Sequence, residues 1–272
     1  MHQRLDPVLR IKVDPVGSCC VEVFSGSRPS PHVGADVVNA ARTRERNDVG
    51  QYDDLVAEWW RPEGAFAALH WLAASRRSLV PVADRPDEIL VDLGCGGGLM
   101  ADSESSYVHI GIDLVVSALG HARSHGIEAV RADVCALPLA SSTASVVLAG
   151  EILEHVPCVD AVVAEICRVL RPGGTVLIDT INATRLADIC LVKIAERLPG
   201  GPPHGIHDPH LFVDPQRLQR LFSDEGVELE VWGLRPSLRD YARFLVDRRR
   251  SVRMLRTRST AAVYQGVGRK FA

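Results

Sequence analysis

The sequence predicts an α/β chain built on a doubly wound, mostly parallel, Rossmann-like sheet of seven strands, with helical additions on the substrate side. Three observations carry this expectation. Short apolar runs alternate with segments of helical period along most of the chain. The run SVVLA at 145–149 is continuously apolar, the pattern of a strand buried on both faces of a parallel sheet. The run at 88–93 ends in Asp92 and opens onto a glycine-rich turn, GCGGG, and a second acid, Asp113, closes the next run about twenty residues later.

At 272 residues the chain has room for one large domain, or for one domain with attachments. Its 46% apolar and 24% charged residues are the proportions of a globular domain that can bury a core. A formal net charge of −3 argues against bulk nucleic-acid binding. No stretch approaches the ~20 continuous apolar residues of a membrane span, and the N-terminus has no apolar core of a secretory signal. Seven cysteines occur without C-x-x-C pairs, which reads as reduced thiols in a cytoplasm.

Residues 1–47 are rich in turn formers (Pro15, Gly17, Gly26, Pro29, Pro31) and predict a poorly ordered extension with a short strand at 19–24. A single domain is expected over 48–272. Tyr52, Leu55, Val56, Trp59 and Trp60 mark an amphipathic helix stopped by Pro62 and Gly64, and a second helix spans 65–80. The adjacent tryptophans read as core cover. Strand 88–93, the glycine turn and a polar stretch at 102–106 with room only for a short helix lead to strand 108–113. A helix at 116–125 stops at Gly126, and strand 127–132 ends beside Asp133. Strand 145–149 and a helix at 159–170 follow, the helix stopped by Arg171-Pro172-Gly173-Gly174 ahead of strand 175–180. Residues 183–222 read as lid elements, with an amphipathic helix at 183–198, a loop at 200–208 and a helix at 215–222. Strand 227–233 precedes a strongly basic segment, 240–258, that is helical in period, and 261–267 forms the last strand.

The glycine turn favours one ligand class. A pyrophosphate calls for G-x-G-x-x-G opening onto helix N–H groups. Here Asp92 precedes the turn, which disfavours a diphosphate and suits a ligand with an amino cation and a sulfonium, S-adenosylmethionine (SAM). Asp113 would accept from both ribose hydroxyls. Asp92, Gly94, Gly96, Asp113 and Asp133 are therefore the candidate cofactor contacts on this edge of the sheet.

Glu151, Glu154 and His155 directly follow strand 145–149, at the rim where open α/β sheets bind ligands. If a helical turn starts there, they share one face at i, i+3 and i+4. Two carboxylates and an imidazole suit a divalent cation such as Mg²⁺, a general base without a metal, or helix capping with His155 filling a gap. His204, His207 and His210 fall within one loop, where they read as solvated side chains or metal ligands, with Asp208 placed to orient His207 as a base. The arginines of 243–258 form either a solvated face or a surface attracted to acidic lipid.

Together these segments resemble the class I SAM-dependent methyltransferases, and more narrowly the O-methyltransferases of ubiquinone biosynthesis. The matching stretches are YDDLVAEWWRPEGAF…LH (52–70), VDLGCGGGLMA (91–101), EILEHV (151–156), LRPGGTVLIDTIN (170–182) and GIHDPHLFV (205–213). The resemblance implies that Arg76, Gly94 and Asp113 contact SAM with Gly150 nearby. It also implies that Mg²⁺ binds at Glu151, Glu154 and His155, and that His207 and Asp208 lie near the substrate. Peripheral membrane association is implied as well. The chain departs from the family at 100–108, which is short and polar, at Gly150, where a larger residue is common, and after Gly233. The expectation is an enzyme that moves the SAM methyl group to a phenolic or catechol hydroxyl of a quinone precursor or aromatic natural product, with His207, paired with Asp208, accepting the proton. The rivals are a metal-independent small-molecule methyltransferase and a SAM-binding scaffold docked to a membrane by the basic tail.

Overall fold

The computed structural model describes residues 9–13, 19–23, 44–102 and 105–271, and the chain divides into two compact units, Met1–Thr43 and Arg44–Ala272. In the first, β1 (Leu9–Val13) pairs antiparallel with β2 (Cys19–Val23). The extension expected over 1–47 otherwise falls largely outside the described residues. The larger unit begins at Arg44, ahead of residue 48.

The larger unit opens with α1 (Gly50–Asp54), a single 3₁₀ turn over Val56–Glu58, and α2 (Ala67–Arg77). The longer helix expected through Trp60 is interrupted. No side chain caps α1, and the rings of Tyr52, Trp59 and Phe66 stack on one another, with 4.4 Å between the Trp59 and Phe66 centroids. Then come β3 (Ile89–Leu93), β4 (Val108–Asp113), α3 (Val116–Ser124), β5 (Glu128–Arg131), β6 (Ala144–Gly150), α4 (Val159–Val169) and β7 (Leu170–Ile181). No helix joins β3 to β4 among the described residues. The lid region holds α5 (Arg185–Ala187), which runs into a π-helical turn over Asp188–Ile194, and α6 (Pro215–Asp224).

The C-terminal part contains β8 (Val227–Pro236), α7 (Leu238–Val246), β9 (Met254–Thr257) and β10 (Val263–Lys270). The sheet order is β5-β4-β3-β6-β7-β10-β8-β9, parallel through the first five neighbours, with β10 antiparallel to both β7 and β8. There are thus eight strands where the sequence predicts seven. The extra one, β9, comes from the segment expected to be one basic helix. That helix stops at Val246 because Asp247 takes an extended backbone, and the chain returns so that Val252 and Met254 pack with Trp71 and Phe244.

Period-two alternation sorts the central strands between two cores. Val91, Leu93, Val147, Ala149, Val176 and Ile178 face α4 and α6, against Val162, Ile166, Leu218 and Phe222. Leu90, Val146, Leu148 and Leu177 face the other way, against Trp59, Phe66, Ala73 and Ala118. Strand order reverses between β3 and β6, whose carboxyl ends therefore open a crevice where no crossover closes the edge.

Candidate functional site

That crevice gathers most of the residues singled out in the sequence. The glycine turn leaves β3 with Gly94 at φ 66° and Gly96 at φ 50°, both left-handed. A Cβ at Gly94 would press on the Ile152 side chain at 2.9 Å, and one at Gly96 would run into the Trp59 ring. Trp60 Nε1 donates to the Gly97 carbonyl at 2.8 Å. The two tryptophans thus cover the core, as expected, and also form a roof on the turn. Asp113 accepts from Gly96 N–H and Val115 N–H, both at 2.8 Å, one on each carboxylate oxygen. Burial raises its pKa. Its remaining lone pairs suit a ligand hydroxyl. Asp92 is buried beside His109, and Asp133 accepts from Cys135 N–H, closing a local turn.

Gly150 ends β6 in register with Asp179 on β7. The Arg76 guanidinium lies where a Gly150 side chain would stand, and its Nε and Nη2 donate to the two Asp179 oxygens at 2.5 Å. Asp179 was not foreseen from the sequence, yet an acid inside the apolar run VLIDTI was the signal for it.

Glu151 does not begin a helical turn. It takes φ 54° and donates its N–H to the Asp179 carbonyl, and the turn that follows is a 3₁₀ helix over Leu153–His155. The shared helical face expected for Glu151, Glu154 and His155 is therefore replaced by another grouping. Ligand atoms of Glu154, His155 and His207 lie within 4.8 Å of one another, and the two imidazoles stack with centroids 5.3 Å apart. Glu151 sits beside this group, within reach of the Glu154 charge.

The electrostatics follow from burial. Two neighbouring carboxyls largely shielded from water resist both being charged unless a cation lies between them. Burial and the Glu154 charge push Glu151 well up, and burial pushes Glu154 up to about 7. Thr180 Oγ1 donates to one Glu154 oxygen at 2.7 Å, but Oε1 of Glu151, Oε1 of Glu154 and Nδ1 of His207 are buried without a donor or acceptor. Burial pushes His155 down to about 4 and His207 well below its usual value, so both imidazoles are neutral at pH 7. Unsatisfied carboxylate oxygens and neutral imidazoles form a donor set that fits a divalent cation.

Two expectations in the histidine loop are corrected. Asp208 does not hydrogen-bond the His207 ring. It caps the short 3₁₀ turn Pro209–Leu211 by accepting from His210 N–H at 3.0 Å, the nearer and entropically cheaper partner. Of the three histidines only His207 is buried; His204 and His210 are exposed.

The sequence also placed the domain boundary beyond residues that complete this wall. Arg46 binds buried Glu196 and the His207 carbonyl, both at 2.9 Å, and Asn47 binds His155. Neither residue carried a local signal.

Comparison with known proteins supplies the family context. The family described as "Methyltransferase domain" matches residues 91–178. A ubiquinone biosynthesis O-methyltransferase of Burkholderia pseudomallei is 33% identical over 199 residues, covering 69% of this chain and 86% of that protein. One from Rhizobium etli is 30% identical, covering 70% and 85%. Among solved structures, a SAM-dependent methyltransferase from Thermotoga maritima shares the fold, with a TM-score of 0.58 at 17% identity over 80% of this chain and 97% of that one.

Proposed function

This chain belongs to the ubiquinone biosynthesis O-methyltransferase family of SAM-dependent methyltransferases, and on that premise we propose that it methylates a phenolic or catechol hydroxyl of a quinone precursor or related aromatic compound. The observation that carries this reading is the group of Glu151, Glu154, His155 and His207 beside the glycine turn, with Glu154 and His207 buried and the other two half-buried. Such a group accommodates adjacent oxygens of a ring next to a methyl donor.

In this reading Asp92, Gly94, Gly96 and Asp113 receive SAM, with Arg76 and Gly150 toward its amino-acid end. Glu151, Glu154 and His155 hold a divalent cation, Mg²⁺ in our reading, with the His207 lone pair left free beside it. Bound there, the cation supplies Lewis acidity that lowers the pKa of a phenolic hydroxyl. The chain's own residues do the rest. The Trp59 and Trp60 roof and the packed wall around His207 exclude water, so an in-line approach of oxygen to methyl carbon at ~3 Å is held rather than searched for. His207, neutral and buried, accepts the phenolic proton. Asp208 serves this role only indirectly, by shaping the loop.

Contact with acidic lipid fits the outer face of α7, where exposed Leu238, Leu245 and Val246 are flanked by Arg239, Arg243, Arg249 and Arg250. No helix among the described residues is long and apolar enough to cross a membrane. Sedimentation with anionic against neutral vesicles tests this contact; equal binding to both rejects it.

The experiment for the main reading is calorimetric titration of SAM with and without Mg²⁺, followed by a catechol panel scored for S-adenosylhomocysteine. Mg²⁺-dependent, EDTA-sensitive turnover supports it. Turnover indifferent to EDTA favours the metal-independent methyltransferase.

A further inference from the structure

Asn47 touches His155 twice. Its Nδ2 donates to the His155 carbonyl oxygen at 3.0 Å, and its Oδ1 lies 2.6 Å from His155 Nδ1. A carbonyl oxygen only accepts, so the first contact fixes which end of the amide carries the NH₂ group. Oδ1 then faces the ring and, as an acceptor, requires Nδ1 to carry the proton. Which imidazole nitrogen is protonated is set by the hydrogen bond made by the other. Nε2 therefore keeps its lone pair, which accepts from the Tyr52 hydroxyl at 3.3 Å, a long contact that a ligand on Nε2 would replace.

The amide is itself held in place. Asn47 takes φ 61°, a conformation asparagine tolerates better than most residues. Its N–H donates to the Gly205 carbonyl at 3.1 Å, and neighbouring Arg46 is tied to Glu196 and the His207 carbonyl. A surface asparagine with one chance contact would have none of this support.

We propose that Asn47 is a positioning residue that fixes His155 in its Nδ1–H tautomer and so keeps Nε2 as the lone-pair atom available to a ligand in the Glu154–His155–His207 group. The tautomer stands on this geometry alone. Its consequence for a cation rests on the reading above. Partners of this kind orient a ligating imidazole and raise its basicity, and their loss typically weakens metal binding about 10- to 100-fold.

The test is a long-range ¹⁵N–¹H correlation spectrum at pH 7.5 of full-length protein, with the His155 signals assigned from His155→Gln. The native protein is expected to show His155 as Nδ1–H. Asn47→Ala is expected to move it toward Nε2–H, and Asn47→Asp, which keeps the acceptor but not the Nδ2 donor, to retain Nδ1–H. Mn²⁺ affinity, read by electron paramagnetic resonance as a probe for the cation, should fall about 10- to 100-fold in Asn47→Ala and recover in Asn47→Asp. Native His155 as Nε2–H overturns the proposal without any variant, as does an unchanged tautomer in Asn47→Ala. If native protein binds no Mn²⁺, the cation reading fails while the tautomer spectra still decide the role of Asn47.

Discussion

Arg76 and Asp179 form a two-pronged ion pair at 2.5 Å, with side chains 7% and 0% exposed, in the space left by the missing side chain of Gly150. Replacing a buried ion pair by apolar residues is often neutral or stabilising, so a pair kept at the ligand edge of a sheet points to use as well as stability. Removing one partner leaves an uncompensated charge. Asp179→Ala should cost about 3–5 kcal/mol in chemical denaturation. Gly150→Ala should disrupt the same pair while leaving both charged groups present. A Gly150→Ala protein as stable as native would mean that the guanidinium has another resting place.

The glycine turn and Trp59 are similarly interlocked. At Gly96 both φ and the indole oppose a side chain. Gly96→Ala is expected to cost about 1–3 kcal/mol from overpacking, read from the denaturant midpoint. Adding Trp59→Ala should relieve the steric part and leave the backbone part, giving a non-additive double-mutant cycle.

Titration of the Glu151–Glu154 pair gives a pH prediction with a definite sign. Both folded-state values are raised by burial, Glu154 to about 7. The folded state therefore holds protons that the unfolded chain releases, and this part of the stability is present below the ordinary carboxylate range and lost as pH rises through about 7. A cation bound in place of those protons reverses the loss. The rise in melting temperature on adding Mg²⁺ should thus grow from pH 6 to pH 8, with proton release seen calorimetrically in buffers of different ionisation enthalpy. A rise that is flat with pH would show that the acidic pair is not displaced.

Asp208 and His207 should separate by the kind of loss they cause. Asp208→Ala removes a cap and is expected to cost about 0.5–2 kcal/mol of stability. His207→Ala should instead abolish cation-stimulated turnover, with little effect on SAM affinity measured by calorimetry. Loss of SAM binding in His207→Ala would place that imidazole elsewhere in the mechanism.

Much of this protein was legible in its sequence. The alternation of strands and helices, the Asp92 turn with its echo at Asp113, and the Glu-x-x-Glu-His motif after a buried strand are written in local periodicity and short spacing. Each depends on residues near one another in the chain. The contacts that finish the site are not local. Asn47 meets His155 across 108 residues, Arg76 meets Asp179 across 103, and Arg46 meets Glu196 across 150. These depend on strand register and on which loop covers which edge, so a single asparagine or aspartate carries no periodic trace of them. The tertiary structure alone decided that His207 joins Glu154 and His155 while Glu151 stands beside them. It likewise turned the basic tail into a short helix and an edge strand, because Val252 and Met254 gain a core there that a continued helix would have denied them.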